Sequence, residues 1–129
     1  MNTPTLRAGI LGAGYISDFH LAAIGRQDNA ELVAICDMNE QAALKLAGQK
    51  QGVTVYTDLE KMLAEAKLDV VHVLTQPDSH FFLAKMVIEA GCNVVLEKPV
   101  TVNSDEAEQL AKLAEEKGVR LAINHNFVF

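Results

Sequence analysis

The stretch Leu11-Gly12-Ala13-Gly14-Tyr15-Ile16-Ser17 decides the fold of this 129-residue chain. The apolar run before it is typical of a buried strand, and a helical pattern follows it through about Arg26. Gly12 permits a tight turn between the two, and Gly14 lets a ligand approach the backbone closely. The start of the helix offers unpaired N–H groups and the positive end of its dipole, which bind phosphate. The stretch therefore predicts a strand–turn–helix unit that holds a dinucleotide by its pyrophosphate.

The loop departs from the dinucleotide fingerprint at its third position, where Ser17 stands in place of glycine. That position needs a small residue because the helix packs closely on the strand there, and serine is small enough. A pair of glycines alone is also compatible with a plain turn that binds nothing. The ligand-binding interpretation therefore needs support from elsewhere in the chain.

Asp37 gives that support, because it ends the second predicted strand. It lies 23 positions after Gly14 (37 − 14), near the spacing expected for an acid that binds the adenosine ribose. Such a carboxylate accepts hydrogen bonds from ribose hydroxyls and repels a 2′-phosphate. No arginine follows it, since the next residues are Met38 and Asn39. We therefore predict NAD rather than NADP, although an acid here could also be solvated at the strand end or help Asn39 to cap a helix.

Six apolar runs alternate with five helical patterns along the chain. Runs that are nearly continuous, rather than strictly alternating, are typical of parallel strands covered on both faces. The pattern predicts an α/β fold, a Rossmann-type doubly wound parallel sheet of about six strands with helices on both faces. Residues 1–129 form one dinucleotide-binding domain in this interpretation. The predicted strands are Leu6–Leu11, Leu32–Asp37, Val53–Tyr56, Val70–Leu74, Val94–Glu97 and Arg120–Asn124.

Short signals predict where the helices begin and end. Thr57-Asp58-Leu59-Glu60 matches a capping box, and Asn103 with Glu106 resembles one. Gly52, Gly91 and Gly118 each follow a helical run, as glycines beyond a helix end commonly do.

Composition and charge narrow the classes of partner. The net charge of −6 argues against nucleic acid or an anionic membrane surface as a main partner. No stretch approaches the length of an apolar membrane span, and no export signal is visible at the start. Cys36 and Cys92 lie in or beside apolar strand-like runs, so we expect reduced thiols in a cytoplasmic protein.

Polar residues also follow the fourth and fifth predicted strands. Thr75, Gln76 and Pro77 end the fourth strand and Glu97-Lys98-Pro99 ends the fifth, which brings both turns to the same edge as Gly12. We predict that the first turn contacts the cofactor. His80 falls in the first turn of the next helix, where bonding within the helix start and a role at the site both remain open.

The other histidines carry less information. His72 lies in the middle of a strand and fits a buried core position, and a structural role is equally open for His20. The spacing of the four histidines and two cysteines does not suggest a metal site, so no metal is predicted.

These motifs together resemble the Gfo/Idh/MocA oxidoreductase family, named for glucose-fructose oxidoreductase, inositol dehydrogenase and a rhizopine-catabolism protein. The resemblance runs through the whole chain, from the glycine loop with His20 to the Thr75–His80 segment and the Glu97-Lys98-Pro99 signature. Gln76 replaces the usual first proline of its segment. The closing His125-Asn126 is followed by Val128 where the family carries arginine, so the contact of that arginine is not carried over.

The resemblance implies a two-domain NAD(P)-dependent enzyme that oxidises or reduces a carbinol, often of a sugar or cyclitol. It implies that Lys98 is catalytic and stabilises charge on the reacting oxygen, while Glu97 orients Lys98 or binds the nicotinamide ribose. The second domain would supply the general base, and the full-length protein would be a homo-oligomer. The implied cofactor contacts are Gly12, Ala13, Gly14, Tyr15, Ile16, Asp37, Met38, Thr75, Gln76, Pro77, His80, Glu97, Lys98 and Asn126.

The apolar ending Asn126-Phe127-Val128-Phe129 suggests that the chain is the first part of a longer protein. We therefore expect this domain alone to bind NAD without turning over substrate. Two other interpretations remain open. One is a non-catalytic NAD-binding module that regulates a partner, and the other is an S-adenosylmethionine-dependent methyltransferase, which Glu97-Lys98-Pro99 disfavours.

Overall fold

The sheet of this protein is parallel throughout, with its first strand in the middle. The computed structural model describes residues 5–14, 16–48, 50–97 and 104–124. Within them lies one six-stranded sheet in the order β3-β2-β1-β4-β5-β6. The predicted doubly wound α/β fold is thereby confirmed. The strands are β1 (Leu6–Leu11), β2 (Ala30–Cys36), β3 (Thr54–Tyr56), β4 (Val70–Val73), β5 (Asn93–Glu97) and β6 (Leu121–Asn124).

Five helices of the described chain connect these strands. They are α1 (Ser17–Gly25), α2 (Glu40–Ala47), α3 (Leu59–Glu65), α4 (His80–Glu89) and α5 (Ser104–Lys117), and a short 3-10 turn over Pro77–Ser79 precedes α4. The chain moves outward from β1 to β3, then returns to pair β4 with the free side of β1. The sheet therefore has a topological switch point between β1 and β4, where ligands bind in folds of this class.

Two apolar cores lie on the two faces of the sheet, because successive strand residues point to opposite sides. Ile10 packs with residues of α1 and α2, including Ile24 and Ala43. Its neighbour Leu11 packs with the larger core that includes Met62 of α3 and residues of α4 and α5. This alternation explains why the strands read as continuous apolar runs.

β1 has the predicted bounds, whereas one or both boundaries of the other strands are displaced by one or two residues. β2 begins at Ala30 rather than Leu32, because its first residues pair with the start of β1 (Leu6 with Ala30). β2 also ends at Cys36 and β4 at Val73, one residue before the predicted Asp37 and Leu74. The last residues of these two predicted strands, Asp37 and Leu74, therefore belong to the loops at the carboxyl edge, whereas the other four strands end where predicted.

The helix signals were partly wrong. Asp58, rather than Thr57, is the N-cap of α3, and its Oδ1 accepts the N–H of Glu60 at 3.1 Å. Gly48, rather than Gly52, follows α2, with φ of +56°. Gly91 and Gly118 have φ of +86° and +71° after α4 and α5, as predicted. Asn103, the other predicted cap, lies outside the described residues.

Candidate functional site

A cavity of about 610 Å³ opens at the carboxyl ends of β1, β2, β3 and β4. Its walls combine apolar side chains such as Leu11, Leu59 and Leu83 with polar groups from the loops after these strands. It contains the switch point between β1 and β4. The predicted site residues Gly12, Asp37, Met38, Thr75 and Gln76 all line this cavity.

Gly12 occupies a position that only glycine tolerates. Its φ is +103°, and an added Cβ would lie 3.0 Å from the carbonyl carbon of Leu74 and 3.1 Å from the nitrogen of Thr75. Its own N–H donates to the carbonyl of Cys36 at 2.8 Å. The turn after β1 is therefore pressed against both neighbouring strands.

Gly14 has the opposite surroundings. It is exposed, and an added Cβ would meet no atom within 4 Å. The open space lies just before α1, so a ligand there would lie at the positive end of the helix dipole. The residues present therefore fit a pyrophosphate, which needs close access to the backbone and a helix start.

Asp37 ties the glycine loop to the loop after β2. Its Oδ2 accepts the N–H of Ala13 at 2.7 Å, and its Oδ1 accepts the N–H of Asn39 at 2.8 Å. Asn39 in turn caps α2 by accepting the N–H of Ala42 at 3.2 Å. Each carboxylate oxygen has a second lone pair, so Asp37 retains the capacity to accept ribose hydroxyls.

Carboxylates dominate the charge of the cavity. Asp37, Asp58 and Asp78 line it, and no lysine, arginine or histidine does so within the described residues. Burial, with the charges of Asp37 and Asp58, raises the pKa of the Cys36 thiol to about 11. The negative charge of these carboxylates disfavours a 2′-phosphate on the adenosine ribose. It is compatible with the uncharged adenosine end of a dinucleotide that lacks this phosphate.

The turn between β4 and α4 is held by its own hydrogen bonds. The Ser79 hydroxyl lies 2.7 Å from the Thr75 hydroxyl oxygen and 2.7 Å from the Gln76 carbonyl oxygen. The His80 ring is buried, and its Nε2 lies 2.8 Å from the Thr75 carbonyl oxygen. Since a carbonyl only accepts, His80 Nε2 carries a proton and donates it.

This geometry separates His80 from the residues that line the cavity. Its ring bonds within the turn, one of the two roles that the sequence left open. Its predicted contact with the cofactor stays a prediction. Ile16 also turns inward, because its side chain packs against the core beneath α1 and α2.

A histidine pair that joins α1 to β4 is a feature that sequence reasoning missed. Nδ1 of His20 on α1 lies 2.8 Å from Nδ1 of His72 on β4, and the rings meet edge to face at 81°. Burial and the neighbouring His20 lower the pKa of His72 to about 4. The two residues are 52 positions apart, so no local pattern reveals the contact.

Other cavity residues were also missed, namely Thr57 and Asp58 after β3, and Asp78 and Ser79 before α4. The available signal was their place at strand ends on the same edge as Gly12. Tyr15, Lys98, Pro99 and Asn126 lie outside the described residues, as do the side chains of Pro77 and Glu97. The backbone of Glu97 ends β5 beside Asn124.

Two wider properties of the described chain concern metals and membranes. Among the described residues, no three His, Cys, Asp or Glu side chains come together in a way that would hold a metal ion. None of the helices in this part of the chain has the length and apolar character needed to cross a membrane.

Comparison with known proteins connects this geometry to a family. Residues 6–125 match the Gfo/Idh/MocA oxidoreductase family, described as having an NAD-binding Rossmann fold. The chain is 33% identical to D-glucoside 3-dehydrogenase of Escherichia coli (strain K12), covering 100% of this chain and 37% of that protein. It is 31% identical to inositol 2-dehydrogenase of Rhizobium meliloti (strain 1021), covering 95% and 36%.

Solved structures give the same result. GenD2 from gentamicin A biosynthesis, in complex with NAD, superposes with a TM-score of 0.91 at 33% identity, covering 98% of this chain and 36% of GenD2. The WlbA dehydrogenase from Bordetella pertussis, in complex with NADH and UDP-GlcNAcA, gives 0.86 at 35% identity, covering 95% and 36%. The chain thus spans about a third of the length of these relatives. By its fold, its glycine loop and these matches, the chain belongs to the Gfo/Idh/MocA oxidoreductase family, as an NAD-binding Rossmann domain.

Proposed function

We propose that this chain is the cofactor-binding part of a dehydrogenase that transfers hydride between NAD and a carbinol of a sugar- or cyclitol-like substrate. The single observation that carries the proposal is the cavity at the switch point, where Gly12, Asp37 and Thr75 converge. The substrate class is supported by relatives that are named as glucoside and inositol dehydrogenases.

The order of the strands suggests how NAD lies along the edge. β1 leads into Gly12 and Gly14, which would hold the pyrophosphate together with the start of α1. β2 leads into Asp37, which would accept hydrogen bonds from the adenosine ribose. β4, on the other side of β1, leads into the turn at Thr75 and Gln76, which would contact the nicotinamide half.

Lys98 is the residue to which we assign the chemistry of the substrate. It follows Glu97, the last residue of β5, and so comes directly after a strand end at the cofactor edge. When a carbinol loses hydride to NAD, its hydroxyl must also lose a proton, and negative charge develops on the oxygen. An ammonium group within hydrogen-bond reach stabilises this charge or relays the proton.

The cofactor assignment is tested by calorimetric titration of the chain with NAD, NADP and S-adenosylmethionine. We expect saturable binding of NAD, weaker binding of NADP because of the carboxylates in the cavity, and no binding of S-adenosylmethionine. Equal or tighter binding of S-adenosylmethionine would contradict the proposal.

The catalytic assignment is tested with Lys98→Ala in a protein that also carries the remaining length found in the relatives. We expect kcat to fall by at least about a hundredfold, the usual contribution of a positioned acid or base, while the Kd for NAD stays within twofold. Lys85→Ala, on the exposed side of α4, is the matched control and should leave both values unchanged. Unchanged kcat in Lys98→Ala would remove Lys98 from the mechanism.

A further inference from the structure

The cavity continues past Asp37 to the end of β3, where the sequence motifs predict a helix cap but no contact with a ligand. Thr57 and Asp58 follow β3, and Leu59 begins α3; all three line the cavity. Along the carboxyl edge, β1, β2 and β3 are neighbours in that order. If the pyrophosphate lies at β1 and the ribose at β2, the next group along the dinucleotide lies at β3. That group is the adenine base.

The walls of this end of the cavity suit a flat, mostly apolar ring. Leu59, the first residue of α3, contributes apolar surface there, and Met38, which is 91% exposed, follows Asp37 and also lines the cavity. The flexible, polarisable thioether of methionine makes favourable contacts with aromatic rings. Shape and apolar surface alone would accept any purine, so selection among bases requires a polar group at the ring edge.

Asp58 supplies such a group. Its Oδ1 is occupied by the N–H of Glu60 at 3.1 Å, which also restricts the side chain. Its Oδ2 makes no hydrogen bond within the part of the chain that the structure describes. An ionised carboxylate only accepts, so this oxygen requires a donor from a ligand or from water.

Adenine carries a donor where the other common purines carry an acceptor. Its exocyclic amino group at C6 has two N–H bonds, whereas hypoxanthine and guanine have a carbonyl oxygen at that position. A carboxylate beside C6 would bind adenine and repel the carbonyl. We propose that Asp58 recognises the amino group of the adenine base and selects adenine dinucleotides against their hypoxanthine analogues. This inference rests on the proposed binding of NAD.

The test compares NAD with nicotinamide hypoxanthine dinucleotide, which differs only at the base edge, by calorimetry on the 129-residue chain. We expect NAD to bind about tenfold more tightly, which matches one charge-assisted hydrogen bond at a partly solvated site. In Asp58→Asn the side-chain oxygen still caps α3, because asparagine is as good a cap as aspartate. Its amide N–H₂ then faces the base and donates to the carbonyl of hypoxanthine, so the preference should fall to about one or reverse.

Glu60→Gln is the matched control. It removes one negative charge two residues away, on an exposed residue that does not line the cavity, and should keep the tenfold preference. Equal affinity of the unaltered chain for both dinucleotides, with NAD still bound, would overturn adenine recognition alone. A shift in Glu60→Gln as large as that in Asp58→Asn would also overturn it, since general charge would then explain the effect. Failure to bind either dinucleotide would overturn the proposed function itself.

Discussion

Asp37 has two structural bonds in addition to its proposed role with the ribose. One carboxylate oxygen holds Ala13 of the glycine loop, and the other holds Asn39 at the start of α2. Both partners are N–H donors, so the site requires two acceptor atoms on one short side chain. Only an ionised aspartate meets this requirement at that length. The residue is therefore expected to organise the loop before any cofactor arrives.

Replacing Asp37 by asparagine should affect both folding and cofactor choice. The amide has one acceptor and one donor, so in either orientation its N–H₂ group faces a backbone N–H. We expect the free energy of unfolding to fall by about 1–2 kcal/mol, measured by urea denaturation. The ratio of NAD to NADP affinity should fall by about tenfold, because the charge that repels a 2′-phosphate is lost. Asp28→Asn, an exposed acid before β2, is the control and should change neither value.

The pair formed by His20 and His72 makes the stability of the folded chain depend on pH. Their Nδ1 atoms face each other at 2.8 Å, so the space between them holds one proton, and two would repel. Burial and His20 lower the pKa of His72 from its usual 6.5 to about 4. Between pH 6.5 and about pH 4, His72 therefore binds a proton in the unfolded chain but not in the folded chain. Stability from this group is therefore complete above about pH 6.5 and is lost as the pH falls towards 4.

We expect the free energy of unfolding to decrease by up to about 3 kcal/mol across this interval because of His72 alone. Urea denaturation at a series of pH values measures the slope. His72→Gln keeps a polar partner for His20 but does not titrate, so its curve should be flatter by this amount. Carboxylates titrate in both proteins and cancel in the comparison. Identical slopes in the two proteins would show that His72 titrates normally.

The turn between β1 and α1 contains two glycines with different physical reasons to be there. Gly12 is required by the fold, since its φ is +103° and backbone atoms of Leu74 and Thr75, just after β4, lie 3.0–3.1 Å from the position of an added Cβ. Gly14 is not required by the fold, since a Cβ there would point into open space. What Gly14 leaves open is room for a ligand beside the start of α1.

The variants Gly12→Ala and Gly14→Ala should separate these two requirements. Gly12→Ala should lower the free energy of unfolding by about 2 kcal/mol or more, from unfavourable φ and overlap with Leu74 and Thr75. Gly14→Ala should unfold like the unaltered chain but bind NAD at least about tenfold more weakly, because its methyl group occupies the space beside the pyrophosphate. Thermal unfolding and calorimetry measure the two effects. A Gly14→Ala protein that binds NAD normally would place the pyrophosphate elsewhere.

Much of this arrangement follows from local patterns, and the exceptions have a common cause. Continuous apolar runs predicted all six strands, most clearly β1 and β2, whose last four residues are all buried because both faces of the sheet are covered there. The cap of α3 was misplaced by one residue because both Thr57 and Asp58 have capping side chains, and the choice depends on backbone angles. The contact of His20 with His72 depends on which face α1 turns to the sheet. The bond from Asp37 to Ala13 likewise depends on how two loops meet.

At the level of the whole domain, the cofactor cavity and the fold are thermodynamically linked. The cavity draws its walls from the ends of four strands, so it exists only when the sheet is assembled. A ligand that binds only the folded chain stabilises it by an amount set by its concentration and affinity. Binding at one edge should therefore be detectable at the opposite edge of the sheet.

The two buried cysteines allow this linkage to be measured. Cys36 lines the cavity, whereas Cys92 precedes β5 at the opposite edge and donates its S–H to the Leu68 carbonyl at 3.3 Å. Burial raises the pKa of both thiols, to about 11 for Cys36, so each should react with a thiol reagent at pH 8 only after the chain opens. At a hundred times its Kd, NAD should slow the labelling of both by about a hundredfold. Cys92 is beyond the reach of a ligand in the cavity, so its protection must come from the stability of the whole domain. If NAD slows the labelling of Cys36 alone, the ligand shields the cavity without stabilising the sheet, and the linkage is contradicted.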